Sequence, residues 1–176
     1  MHHIIHMVTL FVLASSLAAC DSNTTTTRPD SERIVGSWEG TDLNARIIGG
    51  LSVSIPGTDP SAASVTFGSG DAFSFLFDPA DGSMLGIPQT TVSVPLPDQV
   101  SITGTYTLDE SEETISVARP GIPAALELGY NFRGDDDLEL IAETPDAFAD
   151  LLGLASEDAA LIATVVTGGS IRFDRQ

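Results

Sequence analysis

The chain has 176 residues, of which 42% are hydrophobic, which is enough for one domain with a packed core. Its 25 acidic residues outnumber its seven basic ones, all Arg, and give a formal net charge of −18. Such an acidic surface repels nucleic acid and anionic lipid, which excludes nucleic-acid binding. The composition is typical of a high-salt habitat or of a GC-rich genome, and it does not separate the two.

The N-terminal segment has the features of an export signal. Residues 7–19 are apolar and end in small residues, and they are fewer than the roughly 20 that a membrane-spanning helix needs. The run ends in Leu-Ala-Ala before Cys20, an order that resembles the lipobox of bacterial lipoproteins. This resemblance implies cleavage before Cys20 and acylation of Cys20. The polar tract over residues 21–30 predicts a flexible tether.

The lipobox resemblance also implies a location and a domain organisation. Residues 1–19 would be the signal peptide, residues 20–30 the lipidated Cys and tether, and residues 31–176 the folded domain. The expected partner is a membrane of the bacterial cell envelope, reached through the lipid anchor, and we expect a monomer. The outer membrane or cell surface is favoured. Asp21 resembles the inner-membrane retention signal of enteric bacteria and leaves the inner membrane as the alternative.

The mature chain would lack the side chains that most catalytic sites need. All three histidines lie in the predicted signal, and Cys20 is the only cysteine, so no intramolecular disulfide can form. After acylation no His, Lys or free thiol remains for a catalytic triad, a Cys-His pair, a Schiff base or the usual zinc sites. A carboxylate pair could still hydrolyse glycosides, but so many acidic residues make chance pairs common. We therefore expect neither an enzyme nor a cofactor or metal site.

Alternation of apolar and polar residues predicts an antiparallel sheet that is wet on one face. The first strand is predicted at residues 34–40. A long connection follows over residues 44–62, either as a lid over a barrel mouth or, the favoured interpretation, as an irregular hairpin packed on the core. The other predicted strands are 64–67, 72–77, a looser pair within 83–96, 100–108, 114–118, 126–133, 138–142 and 170–175.

Two short helices are predicted before the last strand. Thr144 can cap the first and Pro145 suits its first position, while Ser156 can cap the second, which Gly168 and Gly169 should end. The acidic run at residues 135–137 lacks the spacing of an EF-hand, so a solvated hairpin tip is favoured over a calcium loop.

Gly36, Ser37 and Trp38 match the Gly-X-Trp signature that begins lipocalins and lipocalin-like barrels. A meander, a C-terminal helical segment and a short last strand follow, so residues 31–176 resemble the lipocalin-like lipoprotein domains of bacterial envelopes. This resemblance implies an all-β fold, an antiparallel up-and-down barrel with a short helical segment before the last strand. The chain departs from true lipocalins in having no disulfide and two short helices where one long helix is expected.

The strand pattern places six aromatic residues on the inward face. Two functions fit this face. The favoured one is a non-catalytic module that binds a small apolar ligand in the barrel, and the alternative is a structural or interaction lipoprotein whose barrel is filled by its own side chains. A dry cavity in the barrel would distinguish them. The six candidate ligand-binding residues are Phe73, Phe75, Phe77, Tyr106, Tyr130 and Phe132.

The first and last strands are predicted to close the barrel. Trp38 lies near the start of the first strand, and Arg175 lies at the end of the last. If the two strands pair antiparallel, both side chains point inward at the same end, where a guanidinium over an indole ring is favourable. The resemblance to lipocalins implies the same contact. The alternative is that the C-terminus frays and another side chain covers Trp38.

Overall fold

The computed structural model of the protein describes residues 28–56 and 58–176. The predicted signal, Cys20 and residues 21–27 of the predicted tether lie outside the described residues. In the described part of the chain, none of the helices is long and apolar enough to cross a membrane. The strands are β1 (Gly36–Ile47), β2 (Ser52–Ser54), β3 (Ala63–Phe67), β4 (Ala72–Phe77), β5 (Met84–Gly86), β6 (Ser93–Pro95), β7 (Val100–Asp109), β8 (Thr114–Ala118), β9 (Leu126–Phe132), β10 (Asp137–Ala142) and β11 (Val166–Arg175). The helices are α1 (Asp30–Arg33), α2 (Pro145–Leu151) and α3 (Ser156–Ile162), with a 3₁₀ turn at Pro60–Ala62.

Eight strands form a closed antiparallel barrel in the order β1, β3, β4, β7, β8, β9, β10, β11. β11 returns to pair with β1 and closes the sheet, while β2 lies beside the second half of β1. β5 and β6 form a separate two-stranded sheet. The predicted fold class, an all-β barrel with a short helical segment before the last strand, is confirmed, and the architecture is consistent with a lipocalin-like fold.

The barrel has two different ends. At the first, called the closed end here, β1 begins, β11 ends and α1 packs. At the other, called the helical end, the buried side chains of α2 and α3 reach the core together with those of the β5–β6 pair; they are Phe148, Ala149, Leu151, Ile162, Leu85 and Val94. Inward side chains alternate with exposed ones along the strands, and in β4 every second residue is buried. The core therefore runs through the barrel from one end to the other.

The first strand begins later and ends later than predicted. Ile34 caps the C-terminus of α1, and its carbonyl accepts a hydrogen bond from the Trp38 indole Nε1 at 2.9 Å. β1 then continues to Ile47 because β11 pairs along almost its whole length. The predicted tether also ends earlier, since Asp30 lies in α1.

The connection at residues 44–62 is the favoured irregular hairpin in its first half. β1 and β2 pair from Asn44 opposite Ser54 to Arg46 opposite Ser52. Ile55 is buried against the core, and the chain then enters the 3₁₀ turn. The segment is therefore packed on the barrel, which leaves the lid interpretation without support.

The last strand starts at Val166, so the prediction that Gly168 and Gly169 end a helix is wrong. Both glycines lie inside β11, where a side chain has no room. A Cβ on Gly168 would overlap the carbonyl oxygen of Ala142, and a Cβ on Gly169 would overlap the ring of Phe148. Gly169 therefore allows α2 to approach the sheet closely, and Gly168 allows the close approach of the backbone at the end of β10. Both glycines are required by packing, although in the sequence they resemble a helix stop.

The two helix caps differ in outcome. The Thr144 hydroxyl accepts a hydrogen bond from the Ala147 amide at 3.1 Å, so the predicted cap of α2 is confirmed. The N-cap of α3 is Ala155, and Ser156 is already the first helical residue, so the predicted Ser156 cap is wrong. The helix begins one residue early, with Glu157 and Asp158 in its first turn, where carboxylates are favourable.

Candidate functional site

Five of the six aromatic residues predicted to bind a ligand are buried in the barrel, and Phe132 is half-buried. Phe73, Phe75 and Phe77 lie on the inward face of β4, Tyr106 lies on β7, and Tyr130 lies on β9 with Phe132. Four of the six fall into two clusters, and Phe75 and Phe77 belong to neither. Phe67, which the sequence analysis did not single out, contacts Phe73 and Tyr106 with ring centroids 5.4 and 5.1 Å apart. Tyr130 and Phe132 lie 5.7 Å apart at the closed end.

The middle of the barrel is filled by side chains. Phe75 and Phe77 of β4 have 0% exposed area, and so have Ile115 and Leu140 on the facing strands. A void large enough for one water molecule beside such a side chain would leave part of its surface exposed. None of the six predicted aromatic residues lines any of four surface cavities found in the described residues. The interior thus packs as a core, as protein interiors usually do.

The closed end is organised by Trp38 and Arg175, which lie opposite each other in the β1–β11 pairing. The Arg175 guanidinium carbon lies 4.2 Å from the centroid of the Trp38 ring, which is itself fully buried. The same guanidinium donates through Nη1 to the Val35 carbonyl at 3.0 Å and through Nη2 to the Arg33 carbonyl. Arg175 therefore ties the last strand to the turn that precedes the first.

Position 36 of the Gly-X-Trp signature must be a glycine for a steric reason at this end. Its φ of +145° is one that residues with a side chain rarely adopt, and a Cβ there would lie 2.8 Å from Arg175 Nη1. The signature thus combines a large ring at Trp38 with an empty position two residues earlier, through which the arginine reaches the backbone. This pairing of Gly36 with Arg175 is not visible in the sequence alone.

A second arginine repeats the arrangement beside the first. The Arg33 guanidinium carbon lies 4.1 Å from the centroid of the Phe132 ring, and Nη1 contacts Asp30 at 2.9 Å. Asp30 in turn accepts a hydrogen bond from the Tyr130 hydroxyl at 3.1 Å. Burial, and then this hydrogen bond, raise the pKa of Tyr130 well above its usual range. These contacts therefore fix α1 to the closed end of the barrel.

The acidic run at residues 135–137 forms the predicted hairpin tip, between β9 and β10, but it is more than a solvated turn. Each carboxylate lies near a different arginine: Asp135 is 3.4 Å from Arg33, Asp136 is 3.5 Å from Arg175, and Asp137 is 3.7 Å from Arg172. Asp135 and Asp136 stay mostly exposed, so each pair contributes little alone. Together, Asp135 and Asp136 help to hold the two arginines over the rings of Phe132 and Trp38.

An apolar groove lies outside the barrel, between α2 and the beginning of β9. Its volume is about 400 Å³. Residues 124–129 form one wall, where small or absent side chains at Ala124, Ala125 and Gly129 leave space, and α2 forms the other wall with Ala147. Its polar lining consists of Thr114, Arg119, Glu127, Glu143, Thr144, Asp146 and Asp150. The sequence analysis missed this groove, because it forms only where α2 packs beside β9, an element from which β10 separates it in the chain.

The charge around the groove is negative. Arg119 is its single cationic side chain, and it is already paired with Asp150 at 3.0 Å. Glu143 is paired with Arg46 at 2.9 Å, whereas Glu127 and Asp146 form no ion pair in the described part of the chain. Every one of the seven arginines has a carboxylate within 4 Å, so no arginine is left over to neutralise these two.

No metal centre emerges from the described residues, in which no group of three or more His, Cys, Asp or Glu could hold an ion. Comparison with known proteins finds no family model and no curated protein that matches the chain. The closed end and the groove are therefore interpreted from their own geometry.

Proposed function

We propose that this protein is a lipid-anchored, non-catalytic module of the bacterial cell envelope that acts through the outer surface of its barrel. The packed interior carries the proposal, because Phe75 and Phe77 have no exposed area and lie where a lipocalin-type ligand would sit. A barrel filled by its own side chains works as a rigid scaffold. Any partner would therefore contact the outer surface of the barrel. The proposed protein is a monomer, and its acidic surface repels nucleic acid.

The proposed anchor is a lipid on Cys20, after removal of residues 1–19. The Leu-Ala-Ala order before Cys20 and the polar tract at residues 21–30 support it. More than one acyl chain makes a stable anchor, whereas a single chain binds only marginally. The tether before α1 would reach about 30 Å when stretched, at roughly 3.3 Å per residue. We favour the outer membrane or cell surface, and Asp21 keeps the inner membrane as the alternative.

A neutral fluorescent probe, N-phenyl-1-naphthylamine, tests the filled interior. Backbone amide signals of β4 should not shift when the probe is added to the wild-type domain, because Phe75 and Phe77 leave no room. Phe75→Ala should open a cavity of about the size of benzene, so benzene should shift the same signals in this variant and not in the wild type, provided that circular dichroism shows a folded barrel. Shifts of β4 amides in the wild-type protein would contradict a filled barrel and restore the interior as a ligand site.

A second candidate function is the binding of a small apolar ligand in the groove. Its volume of about 400 Å³ lies within the range of about 300–1,000 Å³ that small-molecule sites occupy. The same probe titration distinguishes this function, since a ligand in the groove shifts amides of residues 124–129 and Ala147 and leaves β4 unchanged.

A further inference from the structure

We infer that the groove between α2 and β9 accepts a small amphiphile with an apolar tail and a positively charged amine headgroup. The inference rests on the second candidate function and adds the charge of the ligand. Its basis is the combination of an apolar wall with carboxylates that form no ion pair within the described part of the chain.

The apolar part of the groove accounts for the tail. Leu126 and Leu128 also line the groove, but their side chains are buried in the core, so the apolar area open to a ligand comes mainly from the exposed Ala124 and Ala125 and the half-buried Ala147. Such a surface gains free energy when an alkyl chain covers it, at about 25 cal/mol per Å² of apolar area removed from water. Because the groove opens to solvent, one end of the ligand stays near the charged rim.

The rim accounts for the headgroup. Asp146 lies in the first turn of α2, and Glu127 lies on the outward face of β9, where its carboxylate accepts a hydrogen bond from the Ser116 hydroxyl at 2.7 Å. Neither carboxylate forms an ion pair with an arginine of the described residues. A headgroup with a positive charge would neutralise them, whereas a carboxylate or phosphate headgroup would meet repulsion from the same groups and from the net charge of −18. Fatty acids are therefore expected to bind worse than amines of the same length.

Three ligands with the same tail test the inference: octylammonium, 1-octanol and octanoate. Each is titrated below its micelle-forming concentration into the ¹⁵N-labelled domain at low salt and pH 7. We expect octylammonium to shift amides of residues 124–129 and Ala147, and to bind at least about fivefold more tightly than octanoate, with octanol between them. Sodium chloride at 0.5 M should reduce the difference, since salt screens exposed charges.

A pair of matched variants separates the charge from the fold. Asp146→Asn removes the free carboxylate in the first turn of α2, and Asp158→Asn removes one in the first turn of α3, outside the groove. Octylammonium should bind about two- to fivefold more weakly to Asp146→Asn, the size of one exposed charge interaction, and unchanged to Asp158→Asn. Ala125→Phe, at an exposed position in the wall, should weaken all three ligands.

The outcomes separate the inference from the function on which it rests. Equal affinity for the three ligands, with shifts confined to the groove, overturns the choice of a cationic ligand and leaves a site for apolar molecules. The absence of shifts with every ligand overturns both. An equal loss in Asp146→Asn and Asp158→Asn means that net charge, rather than the groove, attracts the amine, and this also overturns the inference.

Discussion

Replacing Arg175 by Ala should destabilise the barrel more than replacing Arg172, the other arginine on β11. The side chain stacks on Trp38 with its guanidinium carbon 4.2 Å from the ring centroid, and it donates to the carbonyls of Val35 and Arg33. Its loss removes the stacking and leaves both carbonyls without this donor. Barrel closure between β1 and β11 depends on these contacts at the closed end.

The expected loss is about 3 kcal/mol in the free energy of unfolding. The stacking contributes roughly 0.5–2 kcal/mol, and hydrogen bonds from a charged donor contribute about 1.5–3 kcal/mol. These contributions are not additive, because all come from one guanidinium. For a domain of this size, 1 kcal/mol lowers the melting temperature by about 2–4 °C, so the shift should be roughly 6–12 °C. Arg175→Lys should fall between, because it keeps the charge but loses the planar fork.

Arg172→Ala is the matched control, since Arg172 lies on the same strand but pairs on the outer face with Asp137 at 3.7 Å. It should cost less than about 1 kcal/mol, as partly exposed ion pairs do. Urea unfolding gives the free energies, and the emission of Trp38, the single tryptophan, reports its surroundings. Arg175→Ala should shift this emission to the red, and Arg172→Ala should not. Equal destabilisation by the two variants, without a change in emission, would refute the role of Arg175 in closing the barrel.

Three further predictions concern the anchor, the surface and the closed end. Cys20→Ser should release the protein from membranes on fractionation and abolish labelling by a clickable fatty acid; unchanged membrane partition would contradict the anchor. The melting temperature should rise from low salt to 1 M NaCl, because ions screen the repulsion among 25 carboxylates, and a fall would count against that reasoning. Since the pKa of Tyr130 is raised, its contribution to stability is complete below pH 10 and is lost as the pH rises above that ordinary value. Tyr130→Phe should make the stability decline less above pH 10, and a curve parallel to that of the wild type would show that Tyr130 is not responsible.

Much of the barrel could be predicted from the sequence because period-two alternation is a local signal. In β4 each inward Phe is flanked by exposed residues, and the pattern gives both the strand and its buried face. The cap at Thr144 and the turn chemistry around it are local in the same way. The exception among the local signals is the cap of α3, which the sequence places at Ser156 and the structure places one residue earlier, at Ala155.

The larger errors arise where a distant partner decides. Gly168 and Gly169 resemble a helix stop, but Phe148 and Ala142 require the absence of side chains there. β1 extends to Ile47 because β11 pairs with it, although the Gly49 and Gly50 that follow make the whole region resemble a loop.

The candidate sites show the same division between local and distant determinants. The inward aromatic residues were predictable as a face, but whether a face surrounds a cavity or a packed core depends on the volumes of all the facing strands. Phe67, which fills the space between Phe73 and Tyr106, lies on another strand and could not be assigned this role from its own neighbours. The groove depends on α2 packing near β9, which no local pattern reveals.

The two ends of the barrel explain how this chain reaches a closed fold without a disulfide. At the closed end, Arg33 and Arg175 stack on Phe132 and Trp38 and bind backbone carbonyls, so charged side chains link the segment before β1 to the end of β11. At the helical end, α2 inserts Phe148 against Gly169 and covers the core without any cross-link. The first device depends on charge and hydrogen bonds, and the second depends on apolar burial. Because α1 lies at the closed end, the described chain begins at the end that the arginines hold, and the helical end depends on apolar packing alone.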